Sequence, residues 1–164
     1  MPIKIADGLA AKEKLHDEGI FTIDKGLALH QDIRPLHILI LNLMPLKKPT
    51  ELQLLRLLGD SPLQVEVDFC HTKTHQSTHT DASYLDENYC VFDDIKDRYY
   101  DGLIITGAPV EQMPFESVDY WPEMKTYLDW AKTHAFSTLL FCWGAQAGLY
   151  HYYGIHKKIG RAHV

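Results

Sequence analysis

The chain has 164 residues, 46% hydrophobic and 23% charged, with a net charge of −6. That is the balance of a globular domain with one real core. It lacks the basic face of a nucleic-acid binder, since Lys47-Lys48 and Lys157-Lys158 are its only clustered cations. No apolar run approaches the roughly 20 residues needed to cross a bilayer. Met1-Pro2-Ile3-Lys4 opens no signal-peptide pattern. The three cysteines, Cys70, Cys90 and Cys142, stand at unrelated spacings, so neither a disulfide framework nor a zinc site is expected. A reducing cytoplasm suits them, with Cys70 and Cys90 read as small buried hydrophobes.

The first 34 residues are mixed; Ala6 to Glu18 suits a short helix ended by Gly19. After Arg34-Pro35, the apolar run Leu36 to Asn42 predicts a buried strand. Pro49-Thr50-Glu51 opens a helical stretch over Leu52 to Leu58, which Gly59-Asp60-Ser61-Pro62 ends. Leu63 to Phe69 alternates as a second strand, and the polar run His71 to Ser83 reads as a loop. Asp101 to Gly107 is a third strand ending in a turn. Tyr120 to His134 has helical spacing, Phe136 to Phe141 is a fourth strand, and Gly144 to Tyr153 is helical again.

Strands alternating with helices predict an α/β domain, three layers deep, with a mainly parallel sheet. In such sheets, sites lie beyond the carboxyl ends of the strands. Asn42 to Pro45, Thr106 to Met113 and Cys142 to Gln146 all fall there.

The strongest local signal is Phe141-Cys142-Trp143-Gly144-Ala145-Gln146, a strand running into a Cys and then at once into a helix. This is the order of a nucleophile elbow. A helix N-terminus favours the thiolate of Cys142, and the Trp143 amide would face an oxyanion. A Cys at a strand end is nevertheless more often structural. The turn Thr106-Gly107-Ala108-Pro109-Val110-Glu111 offers Gly107 and Ala108 as a second oxyanion donor, or is a plain turn. Asn42 and Lys47, on the loop after the first strand, are candidates for holding a carboxylate or phosphate. The commoner fate of such lysines is a solvated surface. His71, His75 and His79 repeat every four residues, but their polar setting disfavours a helix and no metal is expected.

Several words in fixed order carry a resemblance: Leu41-Asn42-Leu43-Met44-Pro45, Leu55-Arg56-Leu57-Leu58, Asn88 to Ile95, Asp101 to Pro109, Tyr120-Trp121-Pro122 and Cys142 to Ala147. Together they resemble the homoserine O-succinyltransferase and O-acetyltransferase family of methionine biosynthesis, over residues 1–158. The resemblance implies a fold like that of class I glutamine amidotransferases (flavodoxin-like), of which this chain would be the N-terminal half. It implies a Cys-His-Glu triad with Cys142 as acyl carrier, and Trp143, Gly107 and Ala108 as oxyanion donors. It implies no bound cofactor. Acetyl-CoA or succinyl-CoA and L-homoserine would be the substrates, and the full-length protein a homodimer. The family's base His, its Glu and a substrate lysine would lie past Lys158; His151, His156 and His163 do not match the motif. Glu111 would face the acyl group and favour acetyl over succinyl by like-charge repulsion. A glutamine amidotransferase-like amidase shares Cys-x-Gly-x-Gln but usually has Gly where Leu140 stands. A non-catalytic module on the same scaffold is the third reading.

The last six residues, Ile159-Gly160-Arg161-Ala162-His163-Val164, resemble the translation of a common sequencing adapter. Residues 159–164 are therefore expected to be a foreign tail, with an ordinary disordered tail as the plainer alternative.

Overall fold

The computed structural model describes residues 3–6, 8–24, 34–74 and 80–158. The strands are β1 (Ile3–Ile5), β2 (Thr22–Asp24), β3 (Leu36–Leu41), β4 (Val65–Cys70), β5 (Tyr89–Cys90), β6 (Tyr100–Ile105) and β7 (Ala135–Leu140). The helices are α1 (Ala11–Asp17), α2 (Lys47–Gly59), α3 (Ala82–Asn88), α4 (Phe92–Ile95), α5 (Trp121–His134) and α6 (Trp143–Tyr153). The sheet runs β2-β1-β4-β3-β6-β7, and every pairing is parallel. β5 joins the carboxyl end of β4, where Cys70 and Cys90 are partners.

Two cores explain the continuous apolar runs. On β3, Leu39 and Leu41 enter one core and Ile40 the other; on β6, Leu103 and Ile105 part from Ile104 in the same way. Strands buried on both faces lose the polar alternation of half-exposed ones. Met124, Tyr127, Leu128 and Ala131 of α5, with Trp143 and Ala147 of α6, seal the first face. Ala11 and Leu15 of α1 and Leu55 of α2 seal the second. The expected three-layer parallel α/β architecture is present.

The four predicted strands recur within two residues at each end. The first helix is shorter than expected, at Ala11–Asp17. α2 is longer and begins at Lys47, so Lys47 and Lys48 are helical and do not sit in a loop. Pro49 falls in its first turn, where a missing N–H costs no helix bond. β1, β2 and β5 have two or three residues each, too short for periodicity to reveal. α3 begins at Ala82, inside the stretch read as loop; His75, His79 and the tail 159–164 lie outside the described residues.

β7 is the edge strand of the described sheet. Phe136 is 93% exposed and Leu139 51%. An open, apolar strand edge invites pairing with another chain. The 164-residue chain is therefore expected to self-associate as its concentration rises. Phe136→Lys should reduce that in sedimentation velocity, with little change in thermal midpoint. Unchanged association in this variant would place the contact elsewhere.

Candidate active site

Three loops meet at the carboxyl end of the sheet because β3, β6 and β7 are adjacent and parallel. β7 ends in register with β6, Leu140 beside Ile105. The next amide, of Phe141, donates to Ile105 O at 2.9 Å. The chain then turns at Cys142 with φ 49° and ψ −117°. Cys142 is the one non-glycine residue with positive φ among the described residues. Such a conformation costs about 1–3 kcal/mol and persists only where its surroundings enforce it. Here two glycines allow it. A Cβ on Gly144 would lie 2.7 Å from Thr106 O and 3.1 Å from Ile105 O. A Cβ on Gly107 would lie 3.1 Å from Cys142 Cβ and 3.5 Å from its Sγ. Without side chains, the Gly107 backbone passes close to the cysteine and the Gly144 backbone close to the end of β6.

Cys142 caps α6 and is exposed. The first amides of a helix lack intrahelical acceptors. Gln146 N reaches Cys142 O at 3.1 Å, while the Trp143 amide has no acceptor among the described residues. It lies 3.9 Å from the position a Gly107 Cβ would take. The Trp143 indole is fully buried and anchors this turn, with Tyr120 at 5.8 Å, Phe115 at 5.9 Å and Trp121 at 6.5 Å between ring centroids. The structure thus brings Cys142, Trp143 and Gly107 together, and Ala108 follows, buried, in the same turn.

The loop after β3 is tied to this turn by Thr106. Its hydroxyl accepts from Leu43 N at 2.8 Å and donates to Gly107 O at 3.1 Å. Asn42 is fully buried. Its side-chain amide donates to the Tyr89 hydroxyl at 2.9 Å and to Lys47 O at 3.4 Å, and its Oδ1 accepts from Met44 N at 3.2 Å. Asn42 therefore stands behind the rim and shapes the loop.

Lys47 departs from the usual solvated lysine, being only 7% exposed. Its Nζ donates to Asn42 O at 2.6 Å and Met44 O at 3.3 Å. Burial drives its pKa down to about 8, and the charge of Glu51 opposes that fall. His71 is also pushed down, first by burial and then by the Lys47 charge. Unfolded Lys47 holds its proton up to about 10.5. Between about 8 and 10.5 the unfolded chain therefore binds more protons, and stability rises with pH there. Urea midpoints measured across this window should climb, and Lys47→Met should flatten the climb; a slope unchanged in that variant would assign it to another group.

Glu111 lies exposed beyond Gly107-Ala108. Lys157 closes over its loop, donating to Met113 O at 2.5 Å and Val110 O at 3.4 Å with Phe115 at 4.7 Å. Burial lowers the pKa of Lys157, and Glu111 opposes that. Sequence reasoning passed over Lys157, Thr106 and Glu51. Of these, only Glu51 left a signal, one helical turn after Lys47.

Among the described residues no imidazole contacts the Cys142 thiol. His151 Nε2 bonds Asp129 at 2.9 Å, His134 stacks on Trp130, His71 lies edge-on to Tyr89 and His156 packs on Tyr150. No helix among the described residues is long and apolar enough to cross a membrane.

The homoserine O-succinyltransferase family model matches residues 2–163. A protein of Agathobacter rectalis named homoserine O-acetyltransferase is 59% identical over 97% of this chain and 51% of its own length. Proteins of the same name from Desulfitobacterium hafniense and Acetivibrio thermocellus are 57% and 59% identical, each over 96% of this chain and 51% and 52% of their own. The chain spans about half the length of the curated relatives it matches. With its fold, its elbow and a match along nearly every residue, the chain belongs to the homoserine O-succinyltransferase family.

Proposed function

We propose that this chain supplies the nucleophile of an acyltransferase that moves an acetyl group from acetyl-CoA to the hydroxyl of L-homoserine. The observation that carries this reading is Cys142, held at a strained turn against Gly107 and followed by a helix amide with no acceptor among the described residues. In the first half-reaction the Cys142 sulfur attacks the thioester carbonyl. The amides of Trp143 and the Gly107-Ala108 turn stabilise the oxyanion, and the CoA thiolate leaves with a proton. In the second, the homoserine hydroxyl attacks the Cys142 thioester and the thiol is regenerated. Each half needs a base, by family resemblance a His held by a Glu. The described residues place none beside Cys142. The 164-residue chain alone is therefore expected to give no steady O-acetylhomoserine; turnover by the purified chain would refute this division of labour.

A chimaera tests the reaction: residues 1–158 of this chain replacing the matching part of the Agathobacter rectalis relative. It should transfer acetyl to homoserine and release CoA. Glutamine hydrolysis without acyl transfer would favour the amidase reading, which rests on Cys142-Trp143-Gly144-Ala145-Gln146; Leu140 stands against it.

Glu111 supports acetyl as the group carried. A succinyl carboxylate brought near Glu111 would set two like charges together, whereas acetyl brings none. The relatives' names favour acetyl as well. Glu111→Gly in the chimaera should raise kcat/KM for succinyl-CoA relative to acetyl-CoA by about tenfold or more, on the order of 1.4 kcal/mol. An unchanged ratio would remove Glu111 from donor selection.

A further inference from the structure

Lys47 sits where folding alone would not put a cation. It is nearly buried, it opens α2 at the end where the helix dipole disfavours positive charge, and Lys48 follows it. The first turn of α2 holds no acidic residue, and no side chain caps it. One carboxylate is available on its face, one turn on: Glu51, itself fully buried. Glu51 is fastened by two phenols. Tyr89 donates to its Oε1 at 2.6 Å and Tyr84 to its Oε2 at 2.8 Å. The Asn42 side chain closes the circuit by donating to the Tyr89 hydroxyl, while Lys47 holds the Asn42 carbonyl. Charge and hydrogen bonding therefore link α2, α3, β5 and the loop after β3.

From this arrangement we infer that Glu51 is a positioning residue. Its carboxylate, clamped by Tyr84 and Tyr89, is the fixed counter-charge that keeps the Lys47 ammonium charged and aimed at the carboxyl-terminal rim of the sheet. Two of the three ammonium protons go to Asn42 O and Met44 O, and the third serves an anionic group of a substrate, a carboxylate or a phosphate. Removing the Glu51 charge leaves the cation without its partner in a desolvated site, where the neutral amine is favoured. The other groups facing Lys47 cannot replace it. Tyr89 presents its ring, 6.0 Å from Nζ, and its hydroxyl is pushed well above the ordinary tyrosine range, mainly by burial. His71 is held below its ordinary range and is neutral where Lys47 titrates. Lys48 lies over the Tyr84 ring at 4.2 Å and repels.

The inference rests on the acyltransferase reading for the identity of the anion, but its test needs no substrate. In the 164-residue chain, the Lys47 13Cε resonance is followed against pH. The midpoint should lie near 8. Glu51→Gln should lower it by about one unit or more, and Glu51→Asp, which keeps the charge, should hold it within about half a unit. A midpoint unmoved or raised in folded Glu51→Gln would overturn the inference. If that variant fails to fold, Lys47→Met is added to it. Recovery of a cooperative urea transition in the double variant is the expected result, since the unpartnered cation is gone. A double variant no more stable than Glu51→Gln would show that Glu51 serves the tyrosine hydroxyls alone. Either negative result leaves the Cys142 thioester untouched, so the two readings fail separately.

Discussion

Cys142→Ala in the chimaera is expected to lower kcat for acetyl transfer by at least about a thousandfold, the scale seen when a covalent nucleophile is removed. The fold should not suffer. Cys142 is exposed, and its thiol is not part of either core. Alanine at φ 49° meets the same backbone strain as cysteine, so thermal stability should change little. Cys142→Ser keeps the shape but replaces sulfur with a hydroxyl, a much poorer nucleophile towards a thioester; it too should be nearly inactive. Activity within about tenfold of the parent in either variant would mean that another group carries the acyl chain or that none does.

Gly144→Ala is expected to be as damaging, through structure. The added methyl would meet Thr106 O at 2.7 Å and Ile105 O at 3.1 Å, both backbone atoms at the end of β6. Neither can swing aside as a side-chain tip could, so α6 must lift away from the sheet. Overpacking of this kind costs about 1–3 kcal/mol, occasionally more. The Trp143 amide and Cys142 would move with the helix. Gly107→Ala should be milder for stability, since its nearest contact is the Cys142 Cβ at 3.1 Å. Its cost falls on the proposed nucleophile: an ångström of displacement can lose about a hundredfold in rate. Urea midpoints should drop most for Gly144→Ala, and kcat should drop disproportionately for Gly107→Ala. Two variants indistinguishable from the parent by both measures would mean that the elbow is not tightly fitted.

The main frame of this protein is written in local patterns. Leu39 to Leu41 and Leu103 to Ile105 are apolar stretches buried from both sides, and that is why the segments holding them read as strands of a parallel sheet. Trp121–His134 carries its apolar residues at helical spacing and has Pro122 in its first turn. Once those elements are placed, the three loops must share one end of the sheet, and Cys142 and Gly107 come together from topology alone. The short strands are different. Ile3–Ile5 is a strand because it pairs with Val65 and Glu66, partners far away in the chain. No three-residue window contains that information. The burial of Lys47 is hidden for the same reason. Glu51 is one turn away, but Tyr84, Tyr89 and His71 close around the pair only after β4 and β5 are side by side. The proposed part of Glu111 in donor selection is partly legible. The charge of Glu111 can be read from the sequence, while the clasp of Lys157 on its loop needs the fold.

The most direct test of the central claim is the intact mass of the chimaera after brief mixing with acetyl-CoA in the absence of homoserine, followed by digestion. A ping-pong reaction through Cys142 predicts added mass of one acetyl group, located on the peptide that contains Cys142. It should be discharged on adding homoserine and absent from Cys142→Ala. An enzyme that turns over yet never carries the acetyl group on Cys142 would contradict the account and require direct transfer between the two substrates.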